Sequence, residues 1–151
     1  MNKINNKIKI NNKEWLAKTD WYNIEAACIF AQVDIVTYLQ RDNFSLYPNF
    51  YLTHSKAQKY HEIINTWYYG LFKLVHALPF WYINEAIKQG LCEMPKALLN
   101  EVKKFYERLL TEDQTKFLKD YPYITHKLHL SNNHRLFSNS LNNSIRHLAL
   151  I

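Results

Sequence analysis

The sequence predicts an all-α fold: a compact single-domain bundle of six or seven helices with a long central helix. Three observations support this prediction. Apolar residues recur at helical spacing through much of the chain. Only two glycines occur among 151 residues, which leaves few sites for tight turns. Hydrophobic residues make up 48% of the chain, enough for one buried core. We therefore expect residues 1–151 to form a single helical domain, with 1–13 a mobile basic arm.

The first two helices are predicted between residues 20 and 42. Asp20 is a residue type that caps helix N-termini, so a helix is expected over about 22–31. The apolar run over 33–39 predicts a second, shorter helix. The following segment, 43–52, contains Pro48 and several aromatic residues, and we expect an aromatic-anchored loop there.

The longest helix is predicted from Thr53 to Leu78, with Thr53 or Ser55 as its cap. Its apolar positions keep helical spacing over five turns. They are Tyr60, Ile63, Ile64, Trp67, Leu71, Leu74, Val75 and Leu78. Trp67 and Leu71 lie in the middle of this stripe, so both are expected in the core. Gly70 weakens a helix, and its presence predicts a close contact with a neighbouring helix.

The second half of the chain predicts four more elements. A helix over about 81–89 should end at Gly90 in the left-handed conformation. Helices over 95–110 and from 111 to just before Pro122 should follow, the last one starting with a capping box at Thr111. No helix is predicted in the polar segment 123–133. A terminal helix is expected to carry Phe137, Leu141, Ile145 and Leu148 on one face.

The charge and the cysteines limit the function classes. The formal net charge is +6, which suits an acidic protein surface or nucleic acid. Cys28 and Cys92 stand in apolar patterns without metal or redox spacing, so we expect buried thiols in a reducing compartment. Residues 1–13 lack the apolar region of a signal peptide, and no apolar run is long enough to span a membrane. A cytoplasmic protein with no membrane partner is expected.

No catalytic or cofactor motif emerges from the sequence. Two glycines are too few for a phosphate-binding loop, a dinucleotide fingerprint or a nucleophile elbow. His126, His129 and His134 form a possible metal-binding set, but no paired cysteine or carboxylate flanks them, so solvated histidines are the favoured interpretation. We therefore expect no enzymatic activity and no cofactor.

Two groups of residues are candidate binding surfaces. Four aromatic residues exceed what one core stripe can bury and are candidates for partner binding: Tyr68, Tyr69, Phe80 and Trp81. Four basic residues of the C-terminal third, interleaved with tyrosines that can stack on bases, are candidates for nucleic-acid binding: Lys116, Lys119, Lys127 and Arg135. Solvated faces of a basic protein are the alternative interpretation of the second group.

Two apolar signatures carry a family resemblance. The first comprises Trp21, Glu25, Ala26, Ala27, Val33 and Asp34, and the second Ala86, Ile87, Gly90, Leu91 and Pro95. They resemble small helical proteins of unassigned activity from bacterial prophages and integrated mobile elements. In those proteins a glycine usually stands where this chain has Gln32, and a proline where it has Ile35. The resemblance covers about half the chain and implies a mobile-element protein acting inside a bacterial host.

Composition and resemblance together favour a non-enzymatic binding protein of phage or mobile-element origin. Its most concrete form is an inhibitor that docks on a host defence complex, such as a CRISPR effector. The alternative is a nucleic-acid-binding accessory or regulatory protein. The first predicts a tight protein partner with only weak binding to bare nucleic acid, whereas the second predicts salt-sensitive binding to nucleic acid itself.

Overall fold

The computed structural model describes residues 9–41 and 50–132, which form a mostly helical domain with small antiparallel sheets. The helices of this part of the chain are α1 (Asn12–Leu16), α2 (Asn23–Ala31), α3 (Ile35–Tyr38), α4 (Ser55–Ile64), α5 (Pro79–Gln89), α6 (Lys96–Glu107), α7 (Thr111–Asp120) and α8 (Pro122–Leu128). The strands are β1 (Trp21–Tyr22), β2 (Leu39–Arg41), β3 (Phe50–Leu52), β4 (Tyr68–Tyr69), β5 (Phe72–Lys73) and β6 (His76–Ala77). The all-α prediction is therefore wrong, although helices dominate.

The predicted long central helix is the main error. α4 ends at Ile64, and its last turn is closed by Thr66, whose hydroxyl donates to the Ile63 carbonyl at 2.6 Å. The chain then reverses as the β4–β5 hairpin, in which Tyr69 pairs with Phe72. Gly70, with φ 64°, takes the first position of the two-residue loop, the position that a type II′ turn reserves for glycine.

The helical spacing over 53–78 was misleading because the residues after Ile64 prefer strands. Aromatic residues on both sides of a glycine have high β-propensity, and glycine disfavours a helix interior by about 1 kcal/mol. Trp67 is buried as predicted, at 7% exposure. The prediction for Leu71 is wrong, since its side chain is 93% exposed at the tip of the hairpin.

Within the described residues the strands form three two-stranded antiparallel sheets. The β4–β5 sheet is a local hairpin, whereas the other two sheets pair strands that are further apart in the sequence. β1 pairs with β6, with Trp21 opposite Ala77, so the end of the hairpin region is tied to the start of α2. β2 pairs with β3, with Leu39 opposite Leu52. The β4–β5 hairpin therefore follows α4, and after it the chain forms β6, which pairs with β1.

The core is a single apolar cluster centred on aromatic side chains of α5. Trp21 and Tyr82 are fully buried and stacked, with ring centroids 6.1 Å apart. The Trp21 indole donates to the Trp15 carbonyl at 2.8 Å, so this buried polar group is satisfied. Phe80 packs edge-on against Phe117 of α7 at 5.3 Å, which extends the cluster toward the C-terminal helices.

Left-handed caps end two of the helices that carry the signatures. Gly90 has φ 64°, and Leu91 N–H donates to the Ala86 carbonyl, as predicted for the end of α5. Gln32 adopts φ 56° after α2, a conformation that usually requires glycine. Its side-chain amide donates to the Ile29 carbonyl at 2.7 Å, a bond that a glycine there would lack.

The last two residues of the predicted N-terminal arm belong to a helix. Asn12 and Lys13 belong to α1, and Asn12 is buried through an amide pair with Gln32, at 2.9 and 3.1 Å. The rest of the predicted arm up to residue 8 lies outside the described residues, as does the predicted terminal helix over 137–148. None of the described helices is long and apolar enough to cross a membrane.

The polar segment 123–133, where no helix was predicted, begins with α8. The side chain of Asn84 on α5 supplies the N-terminal cap, since its Oδ1 accepts from Tyr123 N–H at 2.8 Å and from Ile124 N–H at 3.1 Å. A cap supplied by a distant residue leaves no local sequence signal, and Pro122, which we interpreted only as the end of the preceding helix, is the first residue of α8.

Candidate functional site

One buried asparagine attaches the hairpin to the helical body. Asn23, the first residue of α2, donates from Nδ2 to the Leu74 carbonyl at 2.8 Å and to Asn65 Oδ1 at 2.9 Å. Its Oδ1 accepts from the Tyr82 hydroxyl at 2.7 Å, and its backbone N–H donates to the Val75 carbonyl at 3.3 Å. The base of the hairpin is thus fixed to α2, α4 and α5 at once.

Apolar contacts add to this attachment. Trp67 and Leu74 are both buried and lie opposite each other, with Leu74 N–H donating to the Trp67 carbonyl at 3.0 Å. The ring of Tyr69 packs edge-on against half-buried Trp81, with centroids 5.1 Å apart. Only the base of the hairpin contributes to the core, and the tip projects from it.

The projecting part exposes a concentration of large apolar side chains. Tyr68, Tyr69, Leu71, Phe72, Val75 and Leu78 are 58%, 51%, 93%, 78%, 60% and 53% exposed. We call these six residues the hairpin surface. They lie within eleven consecutive positions: four in the β4–β5 hairpin, and Val75 and Leu78 in the segment between the hairpin and α5. A concentration of exposed apolar side chains on an ordered segment is typical of a docking site, because water contact with such side chains is unfavourable.

A groove borders the hairpin surface on the side of α4. Its volume is about 530 Å³, and it is lined by residues 22–24, Phe50, His61, Asn65 and residues 73–75. The groove adjoins the hairpin surface at Val75. Apolar side chains from the starts of α2 and β3 and from the hairpin therefore form a concave site beside a convex one.

The lining of the groove carries one positive charge. Lys73 and His61 line it, and no carboxylate does so among the described residues. Burial lowers the pKa of His61, and the opposing influence of Glu62 is smaller, so His61 is neutral at pH 7 and Lys73 carries the positive charge. Two nearby carboxylates have other partners: Asp20 contacts His76 at 3.0 Å, and Glu25 accepts from Tyr22 N–H at 2.9 Å.

The four residues predicted for partner binding fall into different environments. Tyr68 and Tyr69 belong to the hairpin surface, and half-buried Trp81 supports Tyr69 from below. Phe80 is only 9% exposed and packs against Phe105 at 4.6 Å. The structure therefore places Phe80 in the core, and we leave it out of the docking surface.

The residues predicted for nucleic-acid binding are distributed over two helices. Lys116 and Lys119 are exposed on α7, and Lys127 on α8 lies 3.8 Å from a carboxylate oxygen of Glu93. Arg135 lies outside the described residues. The exposed side of α7 also carries three carboxylates, Glu112, Asp113 and Asp120, so its lysines do not form a uniformly basic stripe.

The histidine set gives no metal site in the part of the chain that can be described. The rings of His126 and His129 are 6.5 Å apart between centroids, and His134 lies outside the described residues. Across residues 9–41 and 50–132, no group of three or more histidine, cysteine, aspartate or glutamate side chains could hold a metal ion.

Four members of the hairpin surface were missed as candidates by the sequence analysis. Leu71, Val75 and Leu78 were assigned to a buried helical stripe, and Phe72 was not singled out. The signal that could have found them is the glycine at position 70, flanked by β-forming aromatic residues at 68, 69 and 72.

Comparisons of the chain with family models, with curated proteins and with solved structures found no match. The hairpin surface and its groove therefore carry the functional inference.

Proposed function

We propose that this is a non-enzymatic binding protein that docks on a protein partner through the hairpin surface. The observation that carries the proposal is the exposure of six large apolar side chains, each more than half exposed, four in the anchored β4–β5 hairpin and two in the segment that follows it. Burying such side chains contributes about 25 cal/mol per Å² of apolar area. Since Asn23 fixes the hairpin before binding, little conformational entropy remains to be lost when a partner binds.

The resemblance of the two signatures to mobile-element proteins supports a more specific form of the proposal. In this form the protein acts in the cytoplasm of a bacterial host, and the partner belongs to a host defence complex such as a CRISPR effector. The net charge of +6 suits the acidic protein faces or nucleic-acid-occupied grooves of such a complex. The choice of a defence complex rests on the resemblance, whereas the docking surface rests on the geometry.

Nucleic-acid binding is the second candidate, and exposed Lys116 and Lys119 favour it. In that case each lost phosphate contact should lower the salt slope of binding by about one. Neutralising Lys116, Lys119, Lys127 and Arg135 together should then abolish binding to bare DNA or RNA while the protein stays folded. Docking through the hairpin predicts that the same four changes leave the protein partner bound.

Capture from a bacterial lysate, with and without nuclease, tests the proposal. The baits are the wild-type protein, the double variant Leu71→Ser with Phe72→Ser, and the control Leu110→Ser. Leu110 is also an exposed apolar residue, at 75%, but it lies between α6 and α7. The proposal predicts a protein that survives nuclease, is recovered at least about tenfold less with the double variant, and is unchanged with the control. Equal recovery with the double variant, or loss of all captured protein on nuclease treatment, would contradict it.

A further inference from the structure

We propose that the groove beside the hairpin takes an acidic segment of the partner, with an apolar side chain inside the groove and a carboxylate paired with Lys73. This inference rests on the proposed docking function and names the chemistry of the partner. It follows from three features of the site: the charge of the groove, its apolar lining and its position beside the hairpin surface.

The charge of the groove favours an anionic occupant. Lys73 is exposed, and the described residues include no carboxylate that forms an ion pair with it. It stands opposite Tyr68 in the hairpin, so the ammonium and the ring lie on the same face of the two strands. A carboxylate that approaches this face meets an exposed cation beside apolar side chains, and such an ion pair adds a modest attraction.

The lining of the groove favours an apolar side chain next to that carboxylate. Ile24 and Leu74 contribute aliphatic groups, and Tyr22 and Phe50 contribute rings. Asn65 and His61 also line the groove, and Asn65 Nδ2 lies 3.3 Å from His61 Nε2.

Two other occupants fit the charges less well. A second copy of this chain also has a net charge of +6, so self-association through a lysine-bearing face brings like charges together. A nucleic acid presents many phosphates, whereas the groove offers one lysine, and Lys116 and Lys119 lie on α7 instead. A peptide segment with one or two carboxylates beside apolar residues matches the site.

Selection of random short peptides on the full-length protein tests this inference. The bound peptides are sequenced, and the affinities of the most enriched ones are measured by fluorescence anisotropy at two salt concentrations. The variants are Lys73→Gln, Lys73→Glu and the double variant Leu71→Ser with Phe72→Ser. Lys103→Glu serves as the matched charge control because Lys103 is also exposed but lies on α6. Circular dichroism checks that each variant is folded.

The inference predicts enriched peptides with aspartate or glutamate next to aromatic or aliphatic residues. Their affinity should fall about threefold with Lys73→Gln and about tenfold with Lys73→Glu, while Lys103→Glu leaves it unchanged. Neutral or basic enriched peptides, or equal affinities for Lys73→Glu and wild type, would overturn the acidic-segment inference. If the double variant still weakened binding in that case, the proposed docking function would be retained without the acidic segment. Peptides insensitive to both the double variant and Lys73→Glu would overturn both proposals. Displacement of the peptides by a single-stranded oligonucleotide and not by an acidic competitor would favour a nucleic acid in the groove.

Discussion

Removing the Asn23 side chain should destabilise the whole protein and the hairpin in particular. In Asn23→Ala, the buried Leu74 carbonyl loses its side-chain donor, and an unsatisfied buried carbonyl costs about 1–3 kcal/mol. The Tyr82 hydroxyl loses its acceptor at 2.7 Å but keeps the Val75 carbonyl at 3.4 Å, so this loss adds about 1 kcal/mol. Asn65 is exposed and can turn to water. We therefore expect a loss of about 2–4 kcal/mol of unfolding free energy.

Urea denaturation and thermal unfolding measure this effect. For a chain of this size the expected loss lowers the melting temperature by roughly 5–15 °C. Tyr82→Phe removes one of the hydrogen bonds and should cost about 1 kcal/mol, whereas Asn65→Ala should stay within about 0.5 kcal/mol of wild type. Amide hydrogen exchange at Leu74 should accelerate most, because its N–H closes the hairpin onto Trp67. An Asn23→Ala variant within about 0.5 kcal/mol of wild type would refute the role assigned to this residue.

Three further predictions follow from burial and backbone geometry. Gly90→Ala should lower the unfolding free energy by about 1 kcal/mol, because φ is 64° and the added Cβ meets no atom within 4 Å; a stabilised variant would contradict the left-handed cap. Trp67→Ala should cost about 3–5 kcal/mol in urea titrations, and a near-native melting temperature would show that Trp67 is not a core residue. Burial raises the pKa of Cys28 to about 12, with Asp34 and Glu25 adding to it, and raises the pKa of Tyr82 as well. The unfolded chain releases these protons near the ordinary pKa values of 9.0 and 10.0, whereas the folded protein retains them. The unfolding free energy should therefore keep its full value below pH 9.0 and decrease as the pH rises above it. Urea midpoints that do not fall above pH 10.0 would contradict this.

Helices with local signals were predictable from the sequence. The apolar stripe of α2, the left-handed Gly90 and the spacing of α6 are all encoded within a few residues of the element they define. The boundaries agree to within a few residues because periodicity and the left-handed Gly90 act locally. The predicted N-caps at Asp20, at Thr53 or Ser55, and at Thr111 are wrong, since the caps are Tyr22, His54 and Leu110. α8 was not predicted, since its cap is Asn84 on another helix.

The hairpin could not be derived from apolar spacing alone. Trp67 and Leu74 satisfy both a helical stripe and the inward face of a hairpin, so burial of these two residues does not distinguish the two structures. Gly70 in the loop favours the hairpin over the helix, and so do the hydrogen bonds of buried Asn23, which join residues from distant parts of the chain. Long-range hydrogen bonds of this kind leave no periodic pattern in the sequence.

Only part of the candidate site was predicted from the sequence, because the rest of it depends on the hairpin. An excess of aromatic residues correctly drew attention to the region of Tyr68 and Tyr69. The excess could not show which ring is buried, because Phe80 and Trp81 are adjacent in sequence and differ only in the direction they face on α5. Leu71, Val75 and Leu78 could not be recognised as exposed from the sequence, because the predicted long helix places them on its buried face.

Position-specific photo-crosslinking tests the central claim most directly. A photoreactive phenylalanine analogue is placed at position 71, at the tip of the hairpin, or at position 110, where Leu110 is similarly exposed outside it. The protein is expressed in bacterial cells, irradiated and treated with nuclease. The account predicts a discrete protein adduct at position 71 that survives nuclease and is absent at position 110. No adduct at position 71, or the same adduct at both positions, would contradict the claim that the hairpin surface is where the partner binds.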